Sequence, residues 1–222
     1  MTRTRRIAIV CQPWDNVAPQ SGSSIVIIAY QLARRLAGNS YVTIYGRRGP
    51  GQKQSEIDGA TIKFKRFKVL QIPQGLVEIS LGIIACYLKR RNNYMFSYFY
   101  HPFYALRVAL SIRGSKCDIV LVHNFLQFAS IIKLLNPSAT ICLSMQCEWL
   151  TQFASPASER RLRKVDLIIG CSDYITEKIS SRFPAIAARC HTVYNGVDTD
   201  RFCPMQDFRS RSDGTERLLY VG

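Results

Sequence analysis

The sequence predicts an α/β protein built on a doubly wound parallel sheet. Three observations carry this reading. Short apolar or β-branched runs alternate with stretches of helical periodicity, the pattern of parallel strands joined by right-handed crossovers. Hydrophobic residues fill 47% of the 222 positions and charged residues only 20%, which supplies the core of one large domain and excludes a disordered chain. Several of the best strands run into polar, small-residue segments, and an open parallel sheet binds its ligands beyond those carboxyl ends.

The elements follow in order. Arg6–Cys11 is short, apolar and stopped by Pro13, so it reads as a buried strand. Ser23–Leu36 is a helix, apolar almost all round, with Arg34 and Arg35 at its outer end and Gly38-Asn39 to stop it. Tyr41–Tyr45 is a second strand, and 46–59, rich in Gly and Lys/Arg, reads as a loop. In Thr61–Phe67, Ile62, Phe64 and Arg66 alternate with Lys63 and Lys65, which suits a strand with one solvated face. Helices are expected at Gly75–Arg90 and Pro102–Ile112, a strand at Asp118–Val122, a helix at Phe125–Leu135 and a strand at Ala139–Met145. Ser158–Lys164 reads as a short basic helix, Asp166–Cys171 as a strand and Ser172–Arg182 as a helix that Ser172-Asp173 can cap. Cys190–Tyr194 is the last strand of this unit, which runs over residues 1–206. Residues 207–216 are polar and read as a linker. Residues 217–222 (Arg-Leu-Leu-Tyr-Val-Gly) read as the first strand of a second domain, since one strand cannot bury itself.

Four segments at strand ends could carry chemistry. Pro13–Ser24, which contains the small-residue run Pro19–Ser24, leads straight into a helix, and the amides around Gly22 and Ser23 suit either a phosphate or an ordinary cap-and-turn. It is neither a G-x-G-x-x-G nor a Walker loop. His123, directly after the best strand, could meet a substrate as donor or proton carrier, or stand beside a capping Asn124. In Ser144–Leu150, Glu148 and Trp149 offer a site carboxylate and aromatic wall, or a surface Glu beside a core Trp. In Tyr194–Phe202, Asn195-Gly196 is a turn signal.

Taken together, these segments resemble the N-terminal half of the retaining glycosyltransferases of family 4, which have the GT-B fold with Rossmann-like domains. Cys190–Pro204 is similar to the family's Val-x-Asn-Gly-Val-Asp-x-x-x-Phe segment, and Leu218–Gly222 to the strand that opens its donor domain. Gly22–Val42 resembles its phosphate loop, Leu-Ala-Arg-x-Leu helix and following strand, and Val165–Ile179 also fits. The resemblance implies transfer, with retention, of a sugar from a nucleotide-sugar donor to a glycan or lipid-linked acceptor. It places Gly22 and Ser23 at the donor phosphates, His123 near the transferred sugar, Gln146, Glu148 and Trp149 on the acceptor side, and Asn195 and Gly196 at the interdomain cleft. Neither a cofactor nor a metal is expected. Many relatives carry a second His where Gln146 stands, and Gln donates a hydrogen bond but carries no proton at neutral pH. The paired glutamates (E-x7-E) of the donor domain are not in this sequence, so the chain is expected to be inactive by itself.

Thirty Lys+Arg against 15 Asp+Glu leave a net charge of +15. Basic clusters at Arg3/Arg5/Arg6, Arg47–Lys68 and Lys89–Arg91, with aromatic residues through Tyr87–Tyr104, suit an anionic membrane surface. The expectation is therefore a cytoplasmic protein, peripheral at the inner membrane face. The alternative is a basic α/β module that binds nucleic acid or membrane without catalysis. No helix-turn-helix, RNP-type or zinc pattern supports nucleic acid, so none is expected as a partner. Eight cysteines lie mostly in apolar runs with no C-x-x-C pair, as reduced thiols do. No apolar run reaches the ~18 residues of a membrane span.

Overall fold

A computed structural model describes residues 4–17, 23–68, 101–152, 154, 156–200 and 202–203. Its eight strands are β1 (Arg5–Val10), β2 (Ser40–Arg47), β3 (Ser55–Asp58), β4 (Ile62–Phe67), β5 (Ile119–His123), β6 (Thr140–Met145), β7 (Leu167–Gly170) and β8 (Cys190–Thr192). They form one sheet in the order β3-β4-β2-β1-β5-β6-β7-β8. Neighbours pair in parallel, except that β3 lies antiparallel on β4. The chain leaves β1 for β2 on one side, and β5 lies on the other. The crevice beyond the carboxyl ends of β1 and β5 is thus the switch point of the sheet.

Helices cover both faces: α1 (Ser24–Leu36), α2 (Pro102–Ser115), α3 (Leu126–Leu135), the one-turn α4 (Trp149–Gln152), α5 (Pro156–Leu162) and α6 (Asp173–Arg182), followed by a 3-10 segment, Pro184–Arg189. The alternation of a strand divides β1 between two cores. Ile7, Ile9 and Cys11 pack with α1 residues Val26, Ala29, Tyr30 and Ala33. Ala8 and Val10 pack with Val108, Ile112, Phe128 and Ile132 of α2 and α3. That double burial is why Ile7–Cys11 reads as a continuous apolar run and not as an alternating one.

Two aspartates set register at the amino edge. Asp118 accepts from the Arg6 N–H at 2.8 Å, and Asp166 accepts from the Ile141 N–H at 2.8 Å and the Lys133 ammonium at 2.8 Å. At the opposite edge the segment after β1 is clamped. The Arg66 side chain, 1% exposed, donates Nε to the Val17 carbonyl at 2.6 Å and Nη1 to Glu56 at 2.6 Å and to the Lys53 carbonyl at 3.2 Å. Its guanidinium lies 4.9 Å from the centre of the Phe64 ring. Arg47 N–H reaches the Asp15 carbonyl at 2.8 Å.

The segment expected to be a loop, 46–59, contains β3. Ser55, Glu56 and Ile57 are exposed, so no burial pattern marks the strand and only its ladder with β4 defines it. Arg66 shares the buried side of β4 with Ile62 and Phe64, as the alternation against Lys63 and Lys65 implies, so this member of the Arg47–Lys68 basic cluster is interior. The helix at Gly75–Arg90, the linker at 207–216 and the strand at 217–222 lie outside the described residues. Among the described residues no helix is long and apolar enough to cross a membrane.

A Cβ on Gly46 would stand 2.4 Å from a Val17 methyl and 3.0 Å from the Asp15 carbonyl. Gly46→Ala should therefore destabilise the fold by about 1–3 kcal/mol through overpacking, read from the urea midpoint at unchanged m-value.

Candidate functional site

The site is built where β5 and β6 end. His123 is the last residue of β5 and is 1% exposed. Neither ring nitrogen has a hydrogen-bond partner, and burial lowers the pKa from the usual 6.5 to about 4. The imidazole is therefore neutral at physiological pH, with one N–H and one lone pair unspent.

Asn124 then takes a left-handed conformation (φ 60°), which Asn tolerates better than most residues. Its N–H donates to the Ser144 carbonyl at 2.9 Å, and the Phe125 N–H turns back to the His123 carbonyl at 2.8 Å. The Asn124 Oδ1 accepts the Gln146 N–H at 2.8 Å. Gln146 in turn donates Nε2 to Ser144 Oγ at 3.1 Å and accepts from Asn195 Nδ2 at 2.8 Å. A relay of carboxamides, Asn124–Gln146–Asn195, thus joins the ends of β5 and β6 to the segment after β8. Phe125 forms an aromatic wall beside it, edge-on to Trp14 at 5.4 Å and Trp149 at 6.0 Å, and stacked on Phe128 at 5.1 Å.

On the β1 side, Asp15 is 3% exposed. Burial raises its pKa, opposed by hydrogen bonds from Ser23 and the Gln12 backbone. Ser23 caps α1, its Oγ accepting the Val26 N–H at 3.4 Å. Gly22 lies outside the described residues.

The structure brings His123, Gln146, Trp149 and Asn195 to one edge of the sheet. Glu148 is engaged elsewhere, bonded to Tyr174 and paired with Lys178 of α6 at 2.9 Å, and these contacts hold its carboxyl below the usual range. Gly196 has no positive φ, and a side chain there would meet nothing within 4 Å. The turn expected at Asn195-Gly196 is absent from residues 193–198, and Asn195 contributes through its side chain. Trp14 and Asp15 fall within Pro13–Ser24, the first segment singled out from the sequence, but neither residue was named individually. Their place in the segment after the first strand was the available signal, because that segment forms one wall of any switch-point crevice.

An Asp-x-Asp spacing occurs at Asp198-Thr199-Asp200. Among the described residues, however, no group of three or more His, Cys, Asp or Glu gathers to hold a metal ion.

Comparison with known proteins adds three kinds of likeness. Spore coat protein SA of Bacillus subtilis (strain 168) is 31% identical over 132 residues, covering 54% of this chain and 35% of that protein. An E. coli trehalose-6-phosphate structure bound with UDP-2-fluoro glucose matches with a TM-score of 0.55 at 14% identity, over 88% of this chain and 50% of that one. The alpha,alpha-trehalose-phosphate synthase (UDP-forming) of Burkholderia xenovorans, in complex with glucose-6-phosphate, matches with a TM-score of 0.54 at 13% identity, over 89% and 51%. The chain thus spans about a third of the curated relative and about half of these structures. At such identities the structures establish the fold, and it agrees with the Rossmann-like half of a GT-B protein. The model of Glycosyltransferase Family 4 matches residues 25–201, from α1 to the segment beyond β8, and the chain belongs to that family.

Proposed function

We propose that this chain is the acceptor-side domain of a retaining glycosyltransferase, which moves a sugar from a nucleotide-sugar donor to a glycan or lipid-linked acceptor. The observation that carries the reading is His123. A buried polar group left without a partner costs roughly 1–3 kcal/mol, and this one stands at the carboxyl end of β5, beside the switch point. A sugar hydroxyl would satisfy it. The E. coli neighbour's UDP-2-fluoro glucose and the Burkholderia neighbour's glucose-6-phosphate support the same class of ligand.

On this reading the bond between the anomeric carbon and the diphosphate oxygen breaks with oxocarbenium character. Fixed dipoles aimed at the separating charges then lower the barrier. His123 acts as a neutral hydrogen-bonding group on the transferred sugar, because an imidazole with a pKa near 4 is a poor base. Gln146 and Asn195 orient the acceptor and take no proton. The proton lost by the acceptor hydroxyl therefore passes to an oxygen of the departing diphosphate. The amino end of α1, with Gly22 and Ser23, supplies amides and a positive dipole end to that diphosphate, and no metal is called for. A second domain holds the donor's nucleoside, so the 222-residue chain by itself turns nothing over.

A second surface bears on the acceptor. On α2, Phe103, Leu106 and Leu110 are exposed at 71%, 43% and 51%, interleaved with exposed Arg107 and Arg113. In a chain of net charge +15 this stripe suits the anionic inner face of a membrane, with apolar residues entering the headgroup layer and arginines meeting lipid phosphates. The protein would then be cytoplasmic and peripheral.

Three outcomes test these statements. With this chain joined to a donor half, nucleoside diphosphate release from a panel of UDP- and GDP-sugars should be measurable. His123→Ala should cut it about 100-fold, as loss of one fixed donor does, and the 222-residue chain alone should show none. If no donor is consumed by the two-domain protein, the transferase reading is withdrawn. The second test is stability against pH. The unfolded chain protonates its histidine below 6.5 while folded His123 stays neutral to about 4. Stability is thus fully present above pH 6.5 and lost as pH falls through that window, by about 3 kcal/mol. His123→Phe should flatten this slope relative to the parent in urea titrations. Third, the protein should sediment with vesicles containing about one-third phosphatidylglycerol but not with pure phosphatidylcholine, and Phe103→Ser/Leu110→Ser should abolish the difference.

A further inference from the structure

At the β4 end of the sheet, the face turned toward α2 carries charge of one sign. On β4 that face presents Lys63, Lys65 and Phe67. The Lys65 ammonium donates to Ser111 Oγ at 2.9 Å and Ser115 Oγ at 3.3 Å, and the third of its N–H groups has no partner among the described residues. The two hydroxyls spend their own protons on the Tyr45 hydroxyl at 3.5 Å and the Ser111 carbonyl at 2.9 Å. One turn earlier on α2, the Arg107 guanidinium stands 5.2 Å from the centre of the Phe67 ring, a contact that spends none of its N–H groups. Successive same-face residues of a strand lie about 6.6 Å apart, so Lys63, Lys65 and Arg107 form one short strip.

Among the described residues no carboxylate opposes these cations on that face. Residues directly opposite each other in a sheet share a face, and the partners of Lys63 and Lys65 are Ile57 and Ser55 on β3 and Thr43 and Tyr45 on β2. The acids of β3 lie on the other face, where Glu56 meets Arg66 and Asp58 meets Tyr30. The α2 helix has no acid, and Asp118 beyond it accepts from the Arg6 N–H. Burial and the charge of Lys63 lower the Lys65 pKa, the direction expected of a cation without a counter-ion. Exposed apolar side chains frame the strip on both sides. Ile57, 68% exposed, stands opposite Lys63. At about 100° per residue, α2 turns exposed Leu106 and Leu110 outward next to Arg107, with Arg113 on the far border of that stripe.

We propose that Lys63, Lys65 and Arg107 form a headgroup site for a membrane lipid that ends in a phosphate monoester, with Ile57 on one side and Leu106 and Leu110 on the other entering the headgroup layer. The proposal rests on the membrane-facing reading of α2 and names the headgroup. A monoester suits the strip better than a diester for two reasons. It offers three acceptor oxygens to donors arriving from three side chains, and its second ionisation, near pH 6, brings a second negative charge. Cations with no carboxylate among them favour that second ionisation.

The test is sedimentation with phosphatidylcholine vesicles of matched surface charge. One set carries about 10% phosphatidic acid and the other about 20% phosphatidylglycerol, since the monoester bears close to twice the charge. The protein should bind the phosphatidic acid vesicles about fivefold more tightly, the scale of one further cation at a lipid phosphate. Lys65→Gln and Arg107→Gln should each erase that preference. Arg113→Gln removes the same charge from the far border of the stripe, and should weaken both sets alike with the preference kept. Circular dichroism and melting temperature establish that each variant is folded, and Lys63→Gln replaces any that is not. The proposal falls if the two lipids bind equally, or if Lys65→Gln and Arg107→Gln behave as Arg113→Gln does. It also falls if binding of glycerol 3-phosphate or of an oligonucleotide depends on Lys65 while binding of the vesicles does not. Binding to neither set removes the membrane reading together with this site, whereas binding to both without the preference removes the site alone.

Discussion

The placement of the site depends on one buried cation. The Arg66 guanidinium, sunk under the hairpin end of the sheet, spends its N–H groups on the carbonyls of Val17 and Lys53 and on the Glu56 carboxylate. An unpaired charge at 1% exposure would be costly, so those three partners are tied to where Arg66 sits. Val17 ends the described part of the segment after β1. It is held from below by Arg66 and from the side by β2, where Gly46 leaves room for it. The wall of the crevice carrying Trp14 and Asp15 is thus fixed from the distal edge of the sheet, through β4 and β2. The antiparallel β3, which contributes almost nothing to the apolar core, serves this arrangement by bringing Glu56 to the guanidinium.

The other wall is held differently. β5 and β6 are buried in parallel pairing, and their carboxyl ends are joined by amides. Asn124 leaves the strand in a left-handed turn and still satisfies the Gln146 backbone, and Gln146 passes the connection to Asn195. Each link is a neutral hydrogen bond worth about 1 kcal/mol, so the relay aligns strand ends more than it stabilises the fold. These hydrogen bonds connect the segment after β8, through Gln146, to the backbone beside His123. A second domain attached through that segment would be linked to the strand end that carries His123 by these contacts.

The central strands were legible in the sequence because double burial writes itself as apolar runs, as in Ile7–Val10 and Ile119–Val122. β3 was not, since an edge strand exposed on both sides has no burial pattern. The alternation put Arg66 on the face of Ile62 and Phe64, but its charge counted it into the basic cluster Arg47–Lys68. Period-two alternation assigns a residue to a face but does not say that a guanidinium on the buried face will find carbonyls there. His123 was placed by its position after the best strand, whereas its neutrality depends on burial by residues distant in sequence. The bond from Gln146 to Asn195 spans 49 positions, and no local pattern contains it. Asn195-Gly196 read locally as a turn, yet the part Asn195 plays is at long range.

The relay and the histidine share a property with a consequence for energetics. Asn124, Gln146 and Asn195 do not titrate, and His123 is already deprotonated well below neutrality. A ligand seated against these four groups between about pH 5 and 8 exchanges no proton with them. Its binding heat should carry no contribution from the buffer's ionisation enthalpy on their account. These four groups present fixed dipoles whose strength does not vary over that range, and the titratable carboxyl that shares the crevice with them is Asp15 on the β1 side.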